Sequence, residues 1–302
     1  MQEHIARTVC GPVSAKRFEH AWTGDYLRAY LISDVGHKRE NNEDACLLCV
    51  PEQEELARRR GYLIAVADGM GGARAGECAS HMALSQTTNA HYRNPDAANP
   101  DALREAVENA NLKVFQESEN DPELSGMGTT ISALLVRGEW GYVAQVGDSR
   151  VYLKRPGIDL IQITHDHSLV AEQMRCGLIT EEEARNHAMK NLITRAVGIK
   201  EAVQVDMFRV RLQRGDTLIL CSDGLSNMVG DKMLHRIVGQ KDLGVAAQMV
   251  VSHALDAGGT DNITAAFVHV TAVPPPMPAE EGALPVKIPA PGFFGRLWRL
   301  IG

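Results

Sequence analysis

Short apolar runs rich in β-branched residues recur along the chain, and longer stretches with helical spacing separate them. Runs of this length and composition are typical of strands that are buried on at least one face. The predicted strands cover residues 27–33, 62–67, 131–136, 141–146, 151–154, 217–221 and 263–270.

Helical periodicity is clearest over residues 75–88, which follow a glycine-rich loop, and over residues 101–119. A further helix is predicted over 168–176, where Gly177 ends it, and another begins at the capping box of Thr180 with Glu183. A last helix is predicted over 244–257. Strands in hairpin-like succession with grouped helices between them favour an α+β layered sandwich over a doubly wound parallel sheet.

The pattern divides the chain into four parts. It predicts an N-terminal extension over 1–25 and one unbroken domain over 26–272. Seven prolines then make a stiff, extended linker over 273–291. A short segment over 292–302 places its large apolar residues on one helical face and its two arginines on the other.

This amphipathic C-terminal segment is too short to span a bilayer, so we expect it to dock on a surface. Three surfaces stay open: the domain itself, a groove on a partner protein, and an anionic membrane. The hypothesis is a tether that concentrates the protein near its substrate.

Composition narrows the class of protein. The chain has 302 residues, 44% of them apolar, and a formal net charge of −7, which argues against a nucleic-acid partner. No secretory signal core and no transmembrane run is recognisable, so the expected location is cytoplasmic, with peripheral membrane contact through the tail. Cys46 and Cys49 form a C-x-x-C, but an odd spacing on a strand points them to opposite faces, which favours neither zinc nor a disulfide.

Candidate chemistry begins with four aspartates, each at the end of an apolar run next to glycine, serine or asparagine: Asp68, Asp148, Asp223 and Asp261. Any one of them alone would be interpreted as a turn residue. Four together, with no histidine or cysteine ligand set nearby, favour a hard cation. Oxygen-only ligands select Mg²⁺ or Mn²⁺ over zinc or copper.

Two further segments suit phosphate chemistry. The stretch DGMGGARAG at 68–76 supplies a flexible backbone before a helix, where a carbonyl could reach a metal and amides could face an anion. Arg39 follows a predicted strand and could bind a phosphate through two parallel N–H bonds. Its alternative is a solvated pair with Glu40 or Glu43.

The order of these motifs resembles the PPM, or type 2C, family of metal-dependent protein phosphatases in its bacterial form. Eight stretches carry the resemblance, and together they are far more specific than any one motif. They are SDVGHKRENNED (33–44), VADGMGG (66–72), GMGTT (126–130), VGDSRVY (146–152), THDHSLV (164–170), LITRAVG (192–198), SDGL (222–225) and GTDNIT (259–264).

The resemblance implies a two-sheet β-sandwich flanked by helices on both faces, an α-β-β-α arrangement, with two Mn²⁺ or Mg²⁺ ions at one end. By family position Asp68 bridges both ions and the Gly69 carbonyl binds one of them. Asp223 and Asp261 complete the other.

The same resemblance assigns the remaining site residues. Glu43 and Asp44 hold metal-bound waters, Asp148 matches the ligand of a third, weaker metal, and Arg39 grips the substrate phosphate. Residues 169–198 correspond to a mobile flap beside the active site.

The implied activity is metal-dependent hydrolysis of phosphoserine and phosphothreonine on proteins by a metal-activated water, reversing a cognate serine/threonine kinase. The alternatives are a catalytically weak phosphatase-like regulator and a dedicated anti-sigma-antagonist phosphatase. The chain departs from the family at Met70 and Ala73, where relatives carry a histidine that could protonate the leaving group. His37, His165 and His167 remain unranked for that role.

Overall fold

The computed structural model describes residues 6–94, 101–239 and 242–275, which form two antiparallel sheets between layers of helix. The strands are β1 (Ala6–Gly11), β2 (Arg17–Thr23), β3 (Leu27–Asp34), β4 (Asp44–Pro51), β5 (Tyr62–Met70), β6 (Gly128–Thr129), β7 (Ile131–Arg137), β8 (Trp140–Val146), β9 (Arg150–Lys154), β10 (Ile161–Gln162), β11 (Asp206–Arg211), β12 (Thr217–Cys221) and β13 (Ile263–Val270).

The helices lie between these strands in the chain. They are α1 (Glu54–Arg60), α2 (Ala73–Arg93), α3 (Asp101–Asn120), α4 (Leu169–Arg175), α5 (Glu181–Arg185), α6 (Asp223–Ser226), α7 (Asp231–Val238) and α8 (Leu243–Asp256). A single 3₁₀ turn covers Pro122–Leu124. The predicted capping box of Thr180 and Glu183 is confirmed at the start of α5.

Each sheet has its own strand order. The first sheet, called sheet A, runs β1-β4-β5-β7-β8-β11, and the short strand β6 pairs with β5. The second, sheet B, runs β10-β9-β12-β13-β3-β2. All of these pairs are antiparallel, so alternate residues of a strand face opposite layers.

The core has three apolar layers. One lies between the two sheets, one packs sheet A against α2 and α3, and one packs sheet B against α7 and α8. This is the α-β-β-α fold class that the resemblance implied. Cys46 lies in the layer between the sheets, whereas Cys49 faces α2, so the two thiols point to opposite faces as expected. All six cysteines are free.

The N-terminal boundary differs from the prediction. Residues 6–23, assigned to an extension, form β1 and β2, which pair with β4 and β3 as the edge strands of the two sheets. The apolar pattern missed β2 because this edge strand alternates half-exposed and exposed residues and includes Arg17 and Glu19. The sandwich therefore begins before residue 26.

At the other end β13 finishes at Val270, and the Thr271 amide donates to the Tyr26 carbonyl at 2.8 Å. The linker from residue 276 onward and the amphipathic segment 292–302 lie outside the described residues. Within the described residues no helix is long and apolar enough to cross a bilayer.

Candidate active site

The predicted metal ligands meet at one end of the sandwich because strands of both sheets end there. Asp44 begins β4 and lies directly opposite Asp68 of β5 in the sheet register. Asp223 follows β12 as the first residue of α6, and Asp261 comes just before β13. Asp148 lies in the turn from β8 to β9. Residues far apart in the chain thus share one acidic site.

Mutual repulsion in this site appears in the pKa values. Burial, followed by the charges of Asp44 and Asp223, raises the pKa of Asp68 well above its usual value. Burial and Asp223 raise the pKa of Asp148 to about 8. Burial, partly offset by a hydrogen bond from Ser222, raises the pKa of Asp44 to about 7.

Burial, followed by the charge of Asp261, also raises the pKa of Asp223. A cluster of carboxylates that disfavours its own ionisation is the electrostatic environment that a multivalent cation relieves.

A buried hydrogen-bond network fixes Asp44. The Ser222 hydroxyl donates to Asp44 Oδ2 at 2.7 Å and accepts from the Thr264 amide at 3.1 Å. Asn42 Nδ2 donates to Ser33 Oγ at 2.9 Å, and Ser33 Oγ lies 2.6 Å from Thr264 Oγ1. These side chains come from β3, β4, β13 and the start of α6, so the network ties both sheets to the position of one carboxylate.

Asp68 is fixed through its backbone instead. Its amide donates to Thr130 Oγ1 at 2.9 Å, while its carbonyl accepts from the Thr130 amide and the Thr129 hydroxyl. Thr130 Oγ1 lies 2.6 Å from Ser149 Oγ, and both residues are fully buried. The Asp68 carboxylate therefore projects from a rigid support, and Ser149 is engaged as a structural residue.

Gly69 and Gly76 leave room for Glu43. The Gly69 amide donates to the Glu43 carbonyl at 3.2 Å. A Cβ on Gly69 would lie 2.1 Å from the Gly76 carbonyl, and a Cβ on Gly76 would lie 2.1 Å from Glu43 Oε2. Because neither glycine can carry a side chain, β5, the first turn of α2 and the Glu43 carboxylate approach closely.

Arg39 lies on the loop between β3 and β4, where its Nη2 donates to Asp261 Oδ2 at 2.9 Å. Its side chain is 48% exposed. Within the described residues its ion pair is therefore with Asp261 and not with Glu40 or Glu43, the alternative interpretation. The arginine points instead at the carboxylate cluster.

Asn262 holds this loop to β13. Its side-chain amide donates to the carbonyls of Val35 and Asn41, both at 3.0 Å, and its Oδ1 accepts from the Glu43 amide at 2.8 Å. Asn262 is 4% exposed. One buried side chain therefore sets the path of the segment that carries both Arg39 and Glu43.

Segment 169–198 is joined to the Asp148 turn through His167. The Gly147 amide donates to His167 Nδ1 at 3.0 Å, and His167 Nε2 lies 3.1 Å from Asp206 Oδ2. Arg195, in that segment, also donates to Asp206, at 2.7 Å. Both ring nitrogens of His167 are thus engaged, which makes it structural. His37 and His165 are exposed.

The donor set fits a hard divalent cation. The cluster offers aspartate and glutamate oxygens beside the tight turn at Gly69, and raised pKa values mark several of them as uncompensated. Among the described residues no three histidine, cysteine, aspartate or glutamate side chains already form a ready-made metal-binding group. The argument that the cluster suits a divalent cation therefore depends on the chemical type and the charge of its oxygen donors.

Four residues that organise the site were not predicted from the sequence to hold the site residues in place. Ser222, Thr264, Asn262 and Thr130 each hold a predicted site residue or its loop by a buried hydrogen bond. Ser222, Thr264 and Asn262 lie in the same short motifs as the aspartates. Their position beside those aspartates could have indicated a role in the site. Serine, threonine and asparagine are common in turns, however, so their presence there did not distinguish them.

Comparisons with known proteins agree with this architecture and site. The family model described as protein phosphatase 2C matches residues 36–255. The chain is 40% identical over 247 residues to the serine/threonine phosphatase stp of Listeria monocytogenes, covering 80% of this chain and 95% of that protein.

Solved structures agree as well. The Mycobacterium tuberculosis serine/threonine phosphatase PstP/Ppp superposes with a TM-score of 0.72 at 34% identity, covering 82% of this chain and 100% of that one. The catalytic domain of serine threonine protein phosphatase PstP, in complex with two manganese ions, has a TM-score of 0.70 at 35% identity and covers 82% and 99%. The chain therefore belongs to the protein phosphatase 2C family and is a phosphatase.

Proposed function

We propose that the chain hydrolyses phosphoserine and phosphothreonine esters on proteins at the carboxylate cluster, with Mn²⁺ or Mg²⁺ as cofactor. The observation that carries the proposal is the close approach of Asp44, Asp68, Asp148, Asp223 and Asp261 next to one exposed arginine. Burial, followed by the charges of neighbouring carboxylates, raises the pKa values of the first four.

Two cations would be held by this cluster. Asp68, the Gly69 carbonyl, Asp223 and Asp261 would hold them. Asp148 would hold a third. When bound, these ions supply Lewis acidity toward the phosphoryl oxygens and toward water. The manganese ions of the PstP catalytic domain support the choice of metal.

The chain's own residues would orient the substrate. Arg39 is on an exposed loop, and its planar guanidinium can bind two phosphoryl oxygens at once. The substrate dianion would compete with Asp261 for this guanidinium. Because Asn262 and the Gly36 turn hold the ends of the loop, the arginine keeps its position while its side chain changes partner.

Glu43 and Asp44 would position waters. The Ser222 hydroxyl donates to Asp44 Oδ2 and holds the carboxylate in place beside the cluster. Burial raises the pKa of Glu43, and Arg39 lowers it in part. A carboxylate with a moderately raised pKa can hold a hydrogen-bonded water and exchange a proton with it.

Among the three histidines considered, His37 would protonate the leaving group. It lies two residues before Arg39 on the same exposed loop, and its amide donates to the Gly259 carbonyl at 2.7 Å. His167 is excluded from the role by its two hydrogen bonds. His165 packs against the edge of Phe208 on β11.

The test is hydrolysis of a panel of phosphoserine and phosphothreonine peptides by the purified chain with Mn²⁺, with Mg²⁺ and in excess chelator. We expect turnover with either ion and none in chelator. A phosphotyrosine peptide serves as the specificity control. Binding of phosphopeptides without turnover would instead favour the catalytically weak regulator, which the full set of carboxylates disfavours.

We also propose a cognate serine/threonine kinase as the partner that supplies the substrate, because the reaction consumes protein phosphoesters. The segment 292–302 would tether the enzyme to an anionic membrane surface or a partner protein, and the enzyme would remain cytoplasmic. Removal of residues 274–302 should leave turnover of p-nitrophenyl phosphate and the melting temperature unchanged but abolish co-sedimentation with phosphatidylserine vesicles. A melting temperature lowered by several degrees would show that the segment docks on the domain.

A further inference from the structure

A cleft of about 740 Å³ lies on the outer face of sheet B, at the end of the sandwich opposite the carboxylate cluster. Its floor is the sheet. Its rim includes Pro156 and Gly215 on one side and Val238, Asp242 and Leu243, next to the break between α7 and α8, on the other. The volume is within the usual range of ligand sites, about 300–1,000 Å³.

A single cross-strand row of polar residues forms much of the floor. The sheet register places five residues side by side on neighbouring strands, and all five line the cleft. They are Thr23 of β2, Arg28 of β3, His269 of β13, Thr217 of β12 and Lys154 of β9. Because cross-strand partners point to the same face, their side chains lie together.

The next row toward the active site is different. It is mainly apolar and is packed beneath the helical layer of sheet B. The register gives this row as Ala21, Tyr30, Phe267, Ile219 and Tyr152. The helices that cover sheet B end between the two rows. The first row is therefore open to solvent, which explains why it is polar. It does not explain why the ionisable members of that row are all basic.

The basic groups have spare binding capacity. Among the described residues Arg28 has no hydrogen-bond or ion-pair partner, although it is exposed at the floor of the cleft. His269 Nδ1 lies 2.9 Å from Thr217 Oγ1. Lys154 Nζ donates to the Ile158 carbonyl at 3.0 Å and lies 3.2 Å from His235 Nε2. The lysine ammonium has three N–H donors, so one remains for a ligand, and His269 Nε2 has no partner among the described residues.

Negative charge is scarce around the row. Asp242 is the single carboxylate among the described residues lining the cleft, and its Oδ1 already accepts from the Val245 amide at 2.8 Å as the cap of α8. Burial, and then Arg28, lower the pKa of His269, while Asp216 acts in the opposite direction, so the positive charge of the row comes from Arg28 and Lys154 and the imidazole serves as a neutral hydrogen-bonding group. In a chain with net charge −7, this is a local positive site.

We propose that this cleft binds a small phosphorylated molecule, with its phosphate on Arg28, His269 and Lys154 and its remaining part against Val238, Leu243 and Pro156. A phosphate monoester carries nearly two negative charges at neutral pH, so it can balance both Arg28 and Lys154, whereas a single carboxylate cannot. The arginine fork and the Thr217 hydroxyl match phosphoryl oxygens in geometry and donor type.

The site is separate from the catalytic one. Thr217 and Cys221 are the two ends of β12, roughly 13 Å apart at the rise of an extended strand, and Asp223 lies beyond the Cys221 end. A ligand here would therefore touch none of the carboxylates. Binding at this cleft does not depend on the proposed reaction.

The experiment uses phenylphosphonate as the probe, because it has a dianionic head and an apolar group and resists hydrolysis. Amide resonances of the full-length Mg²⁺-loaded chain are followed by NMR during the titration. We expect saturable shifts at Gly215 and Thr217, apart from any shifts at Gly69 and Asp223 that report the active site. Benzyl alcohol, which lacks the charge, should not shift the cleft resonances.

Two variants and one matched control distinguish specific binding at the cleft from nonspecific electrostatic attraction. Arg28→Ala and Lys154→Ala should each weaken binding at the cleft at least tenfold while leaving the active-site shifts and p-nitrophenyl phosphate turnover unchanged. Lys232→Ala removes an exposed charge on α7 outside the cleft and should have no effect. Shifts confined to the active site, or cleft shifts that persist at full strength in both variants, would overturn the proposal.

Discussion

The Arg39 guanidinium lies 2.9 Å from Asp261 Oδ2, which pairs the proposed phosphate-binding residue with a proposed metal ligand. Both side chains are partly exposed, at 48% and 35%. An exposed pair of this kind is worth about 0–1 kcal/mol, less than a bidentate contact to a phosphate dianion. Substrate binding can therefore displace Asp261 from Arg39 at little cost, which would leave the carboxylate free to hold a cation.

The first prediction concerns Arg39→Ala. Loss of one charged phosphate contact should raise KM for a phosphothreonine peptide by about ten- to a hundredfold, because such contacts contribute about 1.5–3 kcal/mol. The melting temperature should stay within a degree or two, since the ion pair is exposed. Arg39→Lys, which keeps the charge but not the fork, should recover only part of the loss. An unchanged KM in Arg39→Ala would remove this residue from the substrate site.

The second prediction concerns Asp223→Asn. Measured by thermal melting in chelator, this variant should be more stable than the parent chain, because it removes a charge that burial and Asp261 disfavour. It should also lose turnover and most of the stabilisation that added Mn²⁺ gives, since ligand binding stabilises the folded state by mass action. Glu201→Gln, an exposed change of equal charge, should do neither. A less stable metal-free Asp223→Asn would contradict the repulsion argument.

The third prediction is a pH dependence of the metal-free chain. The pKa values of Asp44 and Asp148 are about 7 and about 8 in the folded state, against a usual value of 3.8. Between these limits the folded state binds more protons than the unfolded state, so stability should fall as pH rises from about 4 to 8. The contribution is fully present below about pH 4.

The measurement is urea unfolding in chelator across this pH range. Asp148→Asn should flatten the upper part of the decline, where this group titrates. With saturating Mn²⁺ the trend should reverse, because cations compete with protons for the same oxygens. Metal-free stability that rises between pH 5 and pH 8 would show that these carboxylates are not the groups that dominate.

The fourth prediction concerns Asn262→Ala. The substitution removes two donors and one acceptor that hold the backbone on either side of Arg39. We expect a loss of about 1–3 kcal/mol of unfolding free energy for the buried groups left without partners. KM should rise as well, because the loop no longer fixes the guanidinium.

Asn41→Ala is the matched control on the same loop, since Asn41 contributes only its backbone carbonyl to Asn262 and its side chain is exposed. It should leave both the unfolding free energy and KM nearly unchanged. Equal effects of the two substitutions would show that the loop does not depend on Asn262.

The fifth prediction tests the leaving-group acid. His37→Gln should lower turnover of a phosphoserine peptide by about 10²-fold or more while leaving p-nitrophenyl phosphate little affected, because nitrophenolate departs without a proton. His165→Gln provides the control, as this histidine is exposed but packs on Phe208 of β11. The same loss on both substrates would point to a role for His37 in loop structure.

Local pattern determined most of the elements. The strands at 217–221 and 263–270 agree with the structure to the residue, and the capping box at Thr180 formed as predicted. These features depend on side-chain periodicity and on residues three positions apart, which a sequence displays directly. The four aspartates were also visible as a set, because each follows or precedes a buried strand.

Only the tertiary structure decided which distant residues meet. The edge strand β2 has too few apolar residues to be recognised, and it is a strand because β3 offers it an unpaired edge. Ser222 and Thr264 are 42 positions apart, yet one hydrogen bond between them helps fix Asp44. Likewise, a row of basic residues on β3, β13 and β9 exists only through the sheet register. Pairing between strands is a long-range choice made by the whole core, so no local pattern encodes it.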